Sequence, residues 1–432
     1  MFRKSIISVA AILCAASLAA QSGPWTGKLK LQGSELTLIF NIDGESSTLE
    51  VPAQGAKDIP VEVSRGTSGS LTLGVPSINA SFKGLRLGNI IAGTFTQNGM
   101  SFPLTLSAGR PVINRPQTPA GPFPYTTEEV VFTNGDARLS GTLTLPEGCS
   151  ETTPALVMVT GSGLQNRDEE ILGHKPFAVI ADALARAGIA TLRYDDRGAG
   201  ESTGDVINCT TDDFKDDALA GIRLLRSRFD RVGVLGHSEG GSIALMLAED
   251  GQADFVISLA GMVISGAQTL LWQNRHALLK AGVPETETDA YCSLLAEAFS
   301  AAAASEPLPT GEDRDLAPAL LQNYRAVSAQ LQMPYMRRFV GLDVSERLAA
   351  VRCPVLAFGG TKDTQVECSA NLSALRAGLP ANPATSIREM PGLNHLLQHC
   401  VTGETGEYGE IEETISGEVL SEMVLWVNEL GR

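Results

Sequence analysis

After its first twenty residues the chain contains no run of the ~18 apolar residues that a helix needs to cross a bilayer, so no membrane span is predicted. Positive charge is in deficit: 33 Lys and Arg face 49 Asp and Glu, a formal charge of −16, which argues against nucleic acid or anionic lipid as a partner. No C-x-x-C pair and no His-rich tract occurs, and neither a metal site nor a cofactor is expected. Histidine itself is scarce, with five in 432 residues, so a reaction that needs an imidazole base has few places to find one.

A chain of this length is expected to form two folded units. Met1 to Ala20 carries Arg3-Lys4, the apolar stretch Ile6 to Ala16 and a run of small residues. This is the pattern of a secretory leader, with cleavage expected near Ala19 or Ala20. Cys14 follows the bulky Leu13, where a lipid-attachment signal favours a small residue, so lipidation is not expected. The protein is therefore expected to be exported, to the periplasm or the exterior. Outside the leader, Cys149, Cys209, Cys292, Cys353, Cys368 and Cys400 make an even number, and an oxidising compartment permits disulfides. No pattern sets an oligomeric state.

Residues 22–109 hold short β-prone runs, Leu36 to Ile42, Val61 to Val63, Leu71 to Val75, Ile90 to Thr96 and Phe102 to Leu106, punctuated by Gly, Asn and Ser. They predict a small all-β sandwich or barrel. It has no His or Cys, so binding or scaffolding is expected of it rather than chemistry. Prolines 111, 116, 119, 122 and 124 mark residues 110–127 as a semi-rigid linker. From 128 to 432 strands alternate with helices. Val130 to Thr133 and Leu139 to Leu145 predict an antiparallel pair, followed by strands at Ala155 to Thr160, Ile189 to Tyr194, Val232 to Leu235, Phe255 to Ala260, Val355 to Phe358 and Thr385 to Met390. Phe214, Ala218, Ile222, Leu225 and Phe229 recur at helical spacing within 211–229, another helix is expected around Ser369 to Ala377, and a closing helix is expected to bear Ile411, Ile415, Val419, Met423 and Trp426. The pattern is α/β, a doubly wound and mostly parallel sheet. Its one long interruption, about 264–350, reads as a helical cap, far longer than the dozen or so residues a crossover needs. Met262, Trp272, Met333, Tyr335 and Met336 are candidates to line a pocket beneath it, with plain packing the alternative.

Gly236-His237-Ser238-Glu239-Gly240 lies between the run Val232 to Leu235 and a helical stretch, the strand-turn-helix setting in which G-x-S-x-G lifts a serine on a sharp turn. A chain with 44 glycines produces such pentapeptides by chance, so Ser238 needs partners. A serine hydroxyl attacks only when a base takes its proton and an acid orients that base. His174 precedes the turn, His237 is read as pointing away from its neighbour, and His276 falls in the cap. Of the remaining two, His395 sits directly after the last strand in Pro391-Gly392-Leu393-Asn394-His395, and His399 reads as a surface or packing residue. Asp363 follows the strand ending at Phe358, at the carboxyl edge of the sheet, where open α/β folds place their sites. The strand after Ser238 leads into Ala260-Gly261-Met262-Val263-Ile264, which offers no carboxylate. The order Ser238, Asp363, His395 results.

An oxyanion needs two backbone N–H donors. One is expected from Glu239, whose side chain need take no part, and the other from Thr160-Gly161-Ser162-Gly163, with Ser162 preferred and Gly163 second; simple turn chemistry is the alternative for that stretch. Asp195-Asp196-Arg197 and Arg167-Asp168-Glu169-Glu170 read as loop braces.

Together, Thr160-Gly161-Ser162-Gly163 with Arg167-Asp168-Glu169, Arg193-Tyr194-Asp195-Asp196-Arg197-Gly198, the Ser238 pentapeptide, Asp363 with Gln365-Val366, and Asn394-His395 resemble exported bacterial α/β-hydrolases of the carboxylesterase and serine-aminopeptidase-like group. The resemblance implies a Ser238–His395–Asp363 triad, and the front domain, through Trp25-Thr26-Gly27 and Gly93-Thr94-Phe95, looks similar to small β domains found there. Cys368 and Cys400 each lie five residues past a proposed triad member, and a disulfide between them is an expectation. Serine in place of aspartate at the turn disfavours the dehalogenase and epoxide hydrolase branches. The front domain is too short for a propeller of ~40-residue blades, the device that gates many related peptidases. A small-molecule acyl ester is the expected substrate, a peptidase or amidase the alternative, and a non-catalytic envelope binding protein the third reading.

Overall fold

The structure is a computed structural model that describes residues 22–31, 34–43, 46–52, 56–110 and 114–430. The expected leader, residues 1–20, lies outside the described residues, as do 111–113 of the expected linker. The chain divides into two compact units: residues up to Asn114 together with Thr405–Glu412, and Arg115–Glu404 together with Glu413–Arg432.

Among its described residues the first unit contains nine strands: β1 (Gly23–Leu31), β2 (Ser34–Ile42), β3 (Thr48–Val51), β4 (Ala56–Pro60), β5 (Glu62–Arg65), β6 (Ser70–Val75), β7 (Ala80–Leu87), β8 (Ile90–Gln97) and β9 (Met100–Ala108). They form one antiparallel meander in the order β4-β3-β2-β1-β9-β8-β7-β6-β5. The two edge strands, β4 and β5, are separated in sequence by Val61 alone. The sheet therefore curls round a single core that includes Trp25, Phe40, Leu49, Leu73, Phe82, Phe95 and Leu106. Alternation of the inward residues, as in Ser70–Val75, supplies that core and leaves the outer face polar.

The second unit is built on an eight-stranded sheet. β10 (Thr126–Asn134), β11 (Ala137–Leu145), β12 (Ala155–Val159), β13 (Ala190–Tyr194), β14 (Val232–His237), β15 (Val256–Leu259), β16 (Val355–Gly360) and β17 (Ser386–Met390) stand in the order β10-β11-β13-β12-β14-β15-β16-β17. β10 and β11 pair antiparallel with each other, as do β11 and β13, and every pair from β12 to β17 is parallel. All residues of β12, β14 and β16 are buried, which is why they read as uninterrupted apolar runs rather than alternations. α1 (Pro176–Arg186), α2 (Thr211–Arg226), α3 (Glu239–Glu249), α8 (Cys368–Gly378) and α9 (Gly417–Leu430) cover the sheet, forming two apolar layers on its faces. Between β15 and β16 stand the cap helices α4 (Gly266–Lys280), α5 (Glu285–Ala303), α6 (Pro318–Gln330) and α7 (Pro334–Val340). This is the α/β-hydrolase architecture.

Several details differ from the sequence reading. The closing helix starts at Gly417, so Ile411 and Ile415 precede it. Ile415 is buried in a loop whose backbone N–H donates to Gln117, and only by coincidence does it continue the helical spacing. Residues 115–125 are tied to the second unit rather than spanning free: Arg115 donates to the Leu172 carbonyl at 2.9 Å, Gln117 to that of Ile415 at 2.8 Å, and Tyr125 to Asp182 at 2.7 Å. Cys368 and Cys400 are not joined, and none of the six described cysteines takes part in a disulfide. Cys368 opens α8 with its sulfur packed towards Gly359, whereas the Cys400 thiol donates to the Gly392 carbonyl.

In the first unit Gly93 of β8 faces Gly84 of β7, and a Cβ built on Gly93 would stand 2.1 Å from the Lys83 carbonyl oxygen. Backbone rather than a flexible side chain would have to give way. Gly93→Ala is expected to destabilise the protein by ~1–3 kcal/mol, read as a lower denaturation midpoint, while leaving the cavity of the second unit intact. An unchanged midpoint would contradict the close approach of these strands.

Candidate active site

The turn that carries Ser238 is shaped by backbone packed against backbone. A Cβ on Gly236 would lie 1.9 Å from the Gly240 carbonyl oxygen, and one on Gly240 would lie 2.2 Å from that of Val159. Only glycine fits either place. Ser238 itself takes φ 54° and ψ −119°, a left-handed conformation that costs a non-glycine residue ~1–3 kcal/mol and clusters at functional sites. Its N–H donates to the Leu259 carbonyl at 3.0 Å, and its carbonyl accepts from Gly241 at 3.0 Å and Met262 at 3.1 Å. The strain is thus held by β15 on one side and α3 on the other.

His395 reaches the same place from the loop after β17. That loop passes over the end of β16 because Gly360 has no side chain: a Cβ there would lie 2.3 Å from the Leu393 carbonyl oxygen. The loop is stiffened by Asn394, whose carboxamide oxygen accepts from the N–H groups of Leu396 and Gln398, both at 3.0 Å. His395 Nδ1 and Asp363 Oδ2 are 2.7 Å apart, and both side chains are almost wholly buried. The other oxygen of Asp363 accepts from the N–H groups of Gln365 at 2.7 Å and Val366 at 2.9 Å, so the carboxylate cannot swing away.

Ser238 and His395 line one cavity of about 360 Å³ with Ser162, Glu239, Ile171 and Met262. The cap closes it with Thr269, Leu270, Gln273, Tyr335, Met336 and Phe339. Of the five residues read as possible pocket lining, Met262, Tyr335 and Met336 are there; Trp272 instead stacks on His276 at 5.5 Å, and Met333 is exposed. Asp363 stands behind His395, and Gly163 borders a small neighbouring void with Thr160, Asp196 and Phe214 rather than this cavity. The loop after β12 comes within contact of the serine: a Cβ on Gly161 would lie 3.1 Å from Ser238 Cβ.

The sequence reading left three of the surrounding groups without these roles. His237, read as pointing away, is buried against the ring of His395, with centroids 4.8 Å apart. Burial, the largest single influence, would lower its affinity for a proton, but the charge and hydrogen bond of Glu169 together with the His395 carbonyl and the Asp363 charge outweigh it and raise the imidazole above its ordinary value. Tyr335 of α7 donates to the carboxylate of Glu239, which also accepts from Thr211 Oγ1 at 2.6 Å. Burial, then the Glu239 charge, holds the Tyr335 phenol far above its ordinary range, so it stays a donor. Arg338, on the same short helix, pairs with Asp212 through two contacts at 2.6 and 3.0 Å, which anchors this part of the cap to α2. Of the other histidines, His399 pairs with Glu413 at the surface and His174 is buried against Thr414.

Residues 175–399, a little over half of the chain, match the family described as serine aminopeptidase, S33. The chain belongs to this family. Over 135 residues it is 38% identical to the esterase EstD of Thermotoga maritima, which covers 31% of this chain and 32% of that protein; the match thus spans about a third of the relative's length. Among solved structures it is similar to an esterase of Pyrococcus furiosus, 17% identical over 74% of this chain and 98% of that one with a TM-score of 0.44. It is also similar to a proline iminopeptidase of Mycobacterium smegmatis, 18% identical over 70% and 99% with a TM-score of 0.42. As a member of the S33 family the chain has the α/β-hydrolase fold.

Two loop braces hold the stretch after β12 in this S33 family member. Arg167 binds Asp195 through Nη2 at 2.8 Å, and Asp196 accepts from Thr160 Oγ1 and from the Gln165 N–H, each at 2.9 Å. Burial, the largest influence, pushes the Asp196 carboxyl up to about 8. In the folded protein Asp196 keeps its proton up to that pH, whereas an unfolded chain releases it near ~4. Its contribution to stability therefore declines as pH rises through this window and levels off above it. Asp196→Asn, which mimics the protonated form, is expected to gain ~3 °C or more in Tm relative to the native protein between about pH 5 and pH 8. A constant difference would show that Asp196 is already ionised when folded.

Proposed function

We propose that the protein is an exported serine carboxylesterase in which Ser238 is the nucleophile, His395 the general base and Asp363 the acid that orients it. The observation that carries this reading is the 2.7 Å contact between His395 Nδ1 and Asp363 Oδ2, with Ser238 and His395 on one cavity. Asp363 fixes the tautomer with the proton on Nδ1, leaving Nε2 free to accept the Ser238 proton. Ser238 Oγ adds to the ester carbonyl, and the negative oxygen accepts from the N–H groups of Glu239, at the start of α3, and Ser162. His395 returns its proton to the alkoxide as the carbonyl re-forms, and the alcohol leaves. Water, deprotonated by His395, then adds to the acyl-enzyme, and Ser238 recovers its proton as the acid departs. Gly163 is the weaker candidate for the second donor, because it faces the neighbouring void. Export is supported by the leader-like pattern from Arg3-Lys4 to Ala20.

The choice of esters over peptides rests on the charge lining the cavity. An aminopeptidase must hold the substrate's ammonium group, which calls for an unengaged carboxylate near the nucleophile. The carboxylates among the lining residues, Glu169 and Glu239, are both engaged, the first by His237 and Gly161 and the second by Thr211 and Tyr335. A cavity of about 360 Å³ supports a small substrate. The esterase EstD match supports the same chemistry over the third of that protein it spans.

A fluorophosphonate is expected to label Ser238, located by peptide mass mapping, and nitrophenol release from short acyl esters is expected to fall by ~10⁴-fold or more in Ser238→Ala. Aminoacyl nitroanilides are expected to be hydrolysed far more slowly than the esters. A label elsewhere, or a Ser238→Ala variant that keeps its activity, would end the reading; faster turnover of the nitroanilides would transfer it to the aminopeptidase.

A further inference from the structure

Behind Ser238, His237 lies between two hydrogen-bond acceptors. Its Nδ1 is 2.9 Å from Glu169 Oε1, and its Nε2 is 3.0 Å from the carbonyl oxygen of His395. A backbone carbonyl has no proton to give, so Nε2 must carry one. A carboxylate likewise only accepts, and Glu169 Oε1 is already accepting from the Gly161 N–H at 2.7 Å. With a proton on both nitrogens, His237 is a cation and Glu169 its counter-ion. The alternative, a neutral imidazole facing a protonated Glu169, would put the acid's proton on Oε1 itself, the atom that accepts from Gly161, or turn Oε2 towards the ring against the observed geometry. Around the pair, His395 with Asp363 behind it are the titratable groups on the base side, Asp196, whose carboxyl feels the Glu169 charge, is one on the loop side, and Phe177, Ile180, Leu259 and Leu397 form an apolar wall beside Glu169 and His237. Nothing in that wall competes for either proton.

The three contacts run from one catalytic loop to the other. Gly161 directly precedes Ser162, and the carbonyl of His395 belongs to the residue proposed as base. Glu169 sits in a left-handed conformation, φ 51°, which turns its side chain back towards the strand ends at the cost of strain. We infer that His237 and Glu169 are positioning residues: a buried imidazolium–carboxylate pair that fixes the oxyanion loop and the base loop to each other, so that donor and base are placed as one unit. This rests on the role proposed for His395, but the charge state of the pair can be read without any substrate.

The first test is ¹⁵N NMR of the full-length protein with labelled histidine. His237 is expected to show two protonated ring nitrogens at neutral pH and into the alkaline range, and Glu169→Gln is expected to convert it to a neutral ring with one. Assignment by single His→Gln replacements of the other four histidines, His174, His276, His395 and His399, identifies His237 by elimination and keeps this measurement possible even if a His237 variant fails to fold. A neutral His237 in the native protein would overturn the inference whatever the enzyme's activity. The second test is a double-mutant cycle in ester hydrolysis. Glu169→Gln and His237→Phe are each expected to lower kcat by ~10–100-fold with KM within about twofold, and the double variant to lose no more than the worse single one. His237→Gln, which keeps a donor for the His395 carbonyl, is expected to retain more kcat than His237→Phe. Multiplying losses, or an unchanged kcat in either single variant, would overturn the inference.

Discussion

Two carbonyl oxygens govern the site. Those of Val159 and Gly240 press so closely on Gly240 and Gly236 that no side chain fits at either position, and the end of β14, the start of α3 and the end of β12 are forced into backbone contact. With that contact made, the chain can turn from strand to helix only through a left-handed residue, and Ser238 is the one between the glycines. Its hydroxyl is thereby thrust off the end of the sheet. The same closeness brings the loop after β12 to the serine and leaves Glu239, the first residue of α3, on the wall of the cavity. A larger residue at either glycine would separate β12 from α3 and displace the proposed nucleophile and the proposed oxyanion donors together.

Legibility in the sequence followed burial. Strands with both faces covered, such as β12, β14 and β16, are continuous apolar runs and declare themselves. In the first unit the strands read were those with clustered apolar residues, such as Leu36 to Ile42 and Leu71 to Val75, while β4, with the sequence Ala-Lys-Asp-Ile-Pro and mostly exposed, offers almost none. β1, β3 and β7 also passed unread; β7 contains Lys83, Gly84 and Arg86, which dilute its apolar face. The closing helix was drawn too long because Ile415 happens to lie four residues before Val419. Ser238, Asp363 and His395 could be selected because topology restricts each to one end of one strand. His237 could not, since its meaning depends on Glu169, 68 residues upstream, on a loop whose shape no periodicity encodes.

Cysteine spacing was a poorer guide, and the reason is geometric. Five residues past Asp363 the chain has already entered α8, whereas five residues past His395 it is still in the loop near Gly392. Equal separations along the chain do not give equal directions in space. The loops carrying Asp363 and His395 are joined instead by the hydrogen bond between these two side chains and by Lys362, whose ammonium donates to the carbonyls of Cys400 and Val401 at 3.1 and 2.8 Å.

Glu239 poses a problem that the cap resolves. Its N–H is the proposed donor to a developing negative oxygen, yet its own side chain is a buried carboxylate, and like charges at short range in a poorly screened site repel strongly. Thr211 and Tyr335 each donate a hydroxyl hydrogen to that carboxylate, drawing its charge towards α2 and the cap and away from the backbone N–H. The phenol keeps its proton there, because burial, and then the Glu239 charge, makes its loss harder still. The cap therefore does more than wall the cavity. Through Tyr335 it satisfies the charge that the turn's own sequence introduces, and Arg338 bound to Asp212 keeps that tyrosine in place. A carboxylate directly after the proposed nucleophile is tolerable only where both donors are present, so Glu239, Thr211 and Tyr335 make physical sense as a set and not singly.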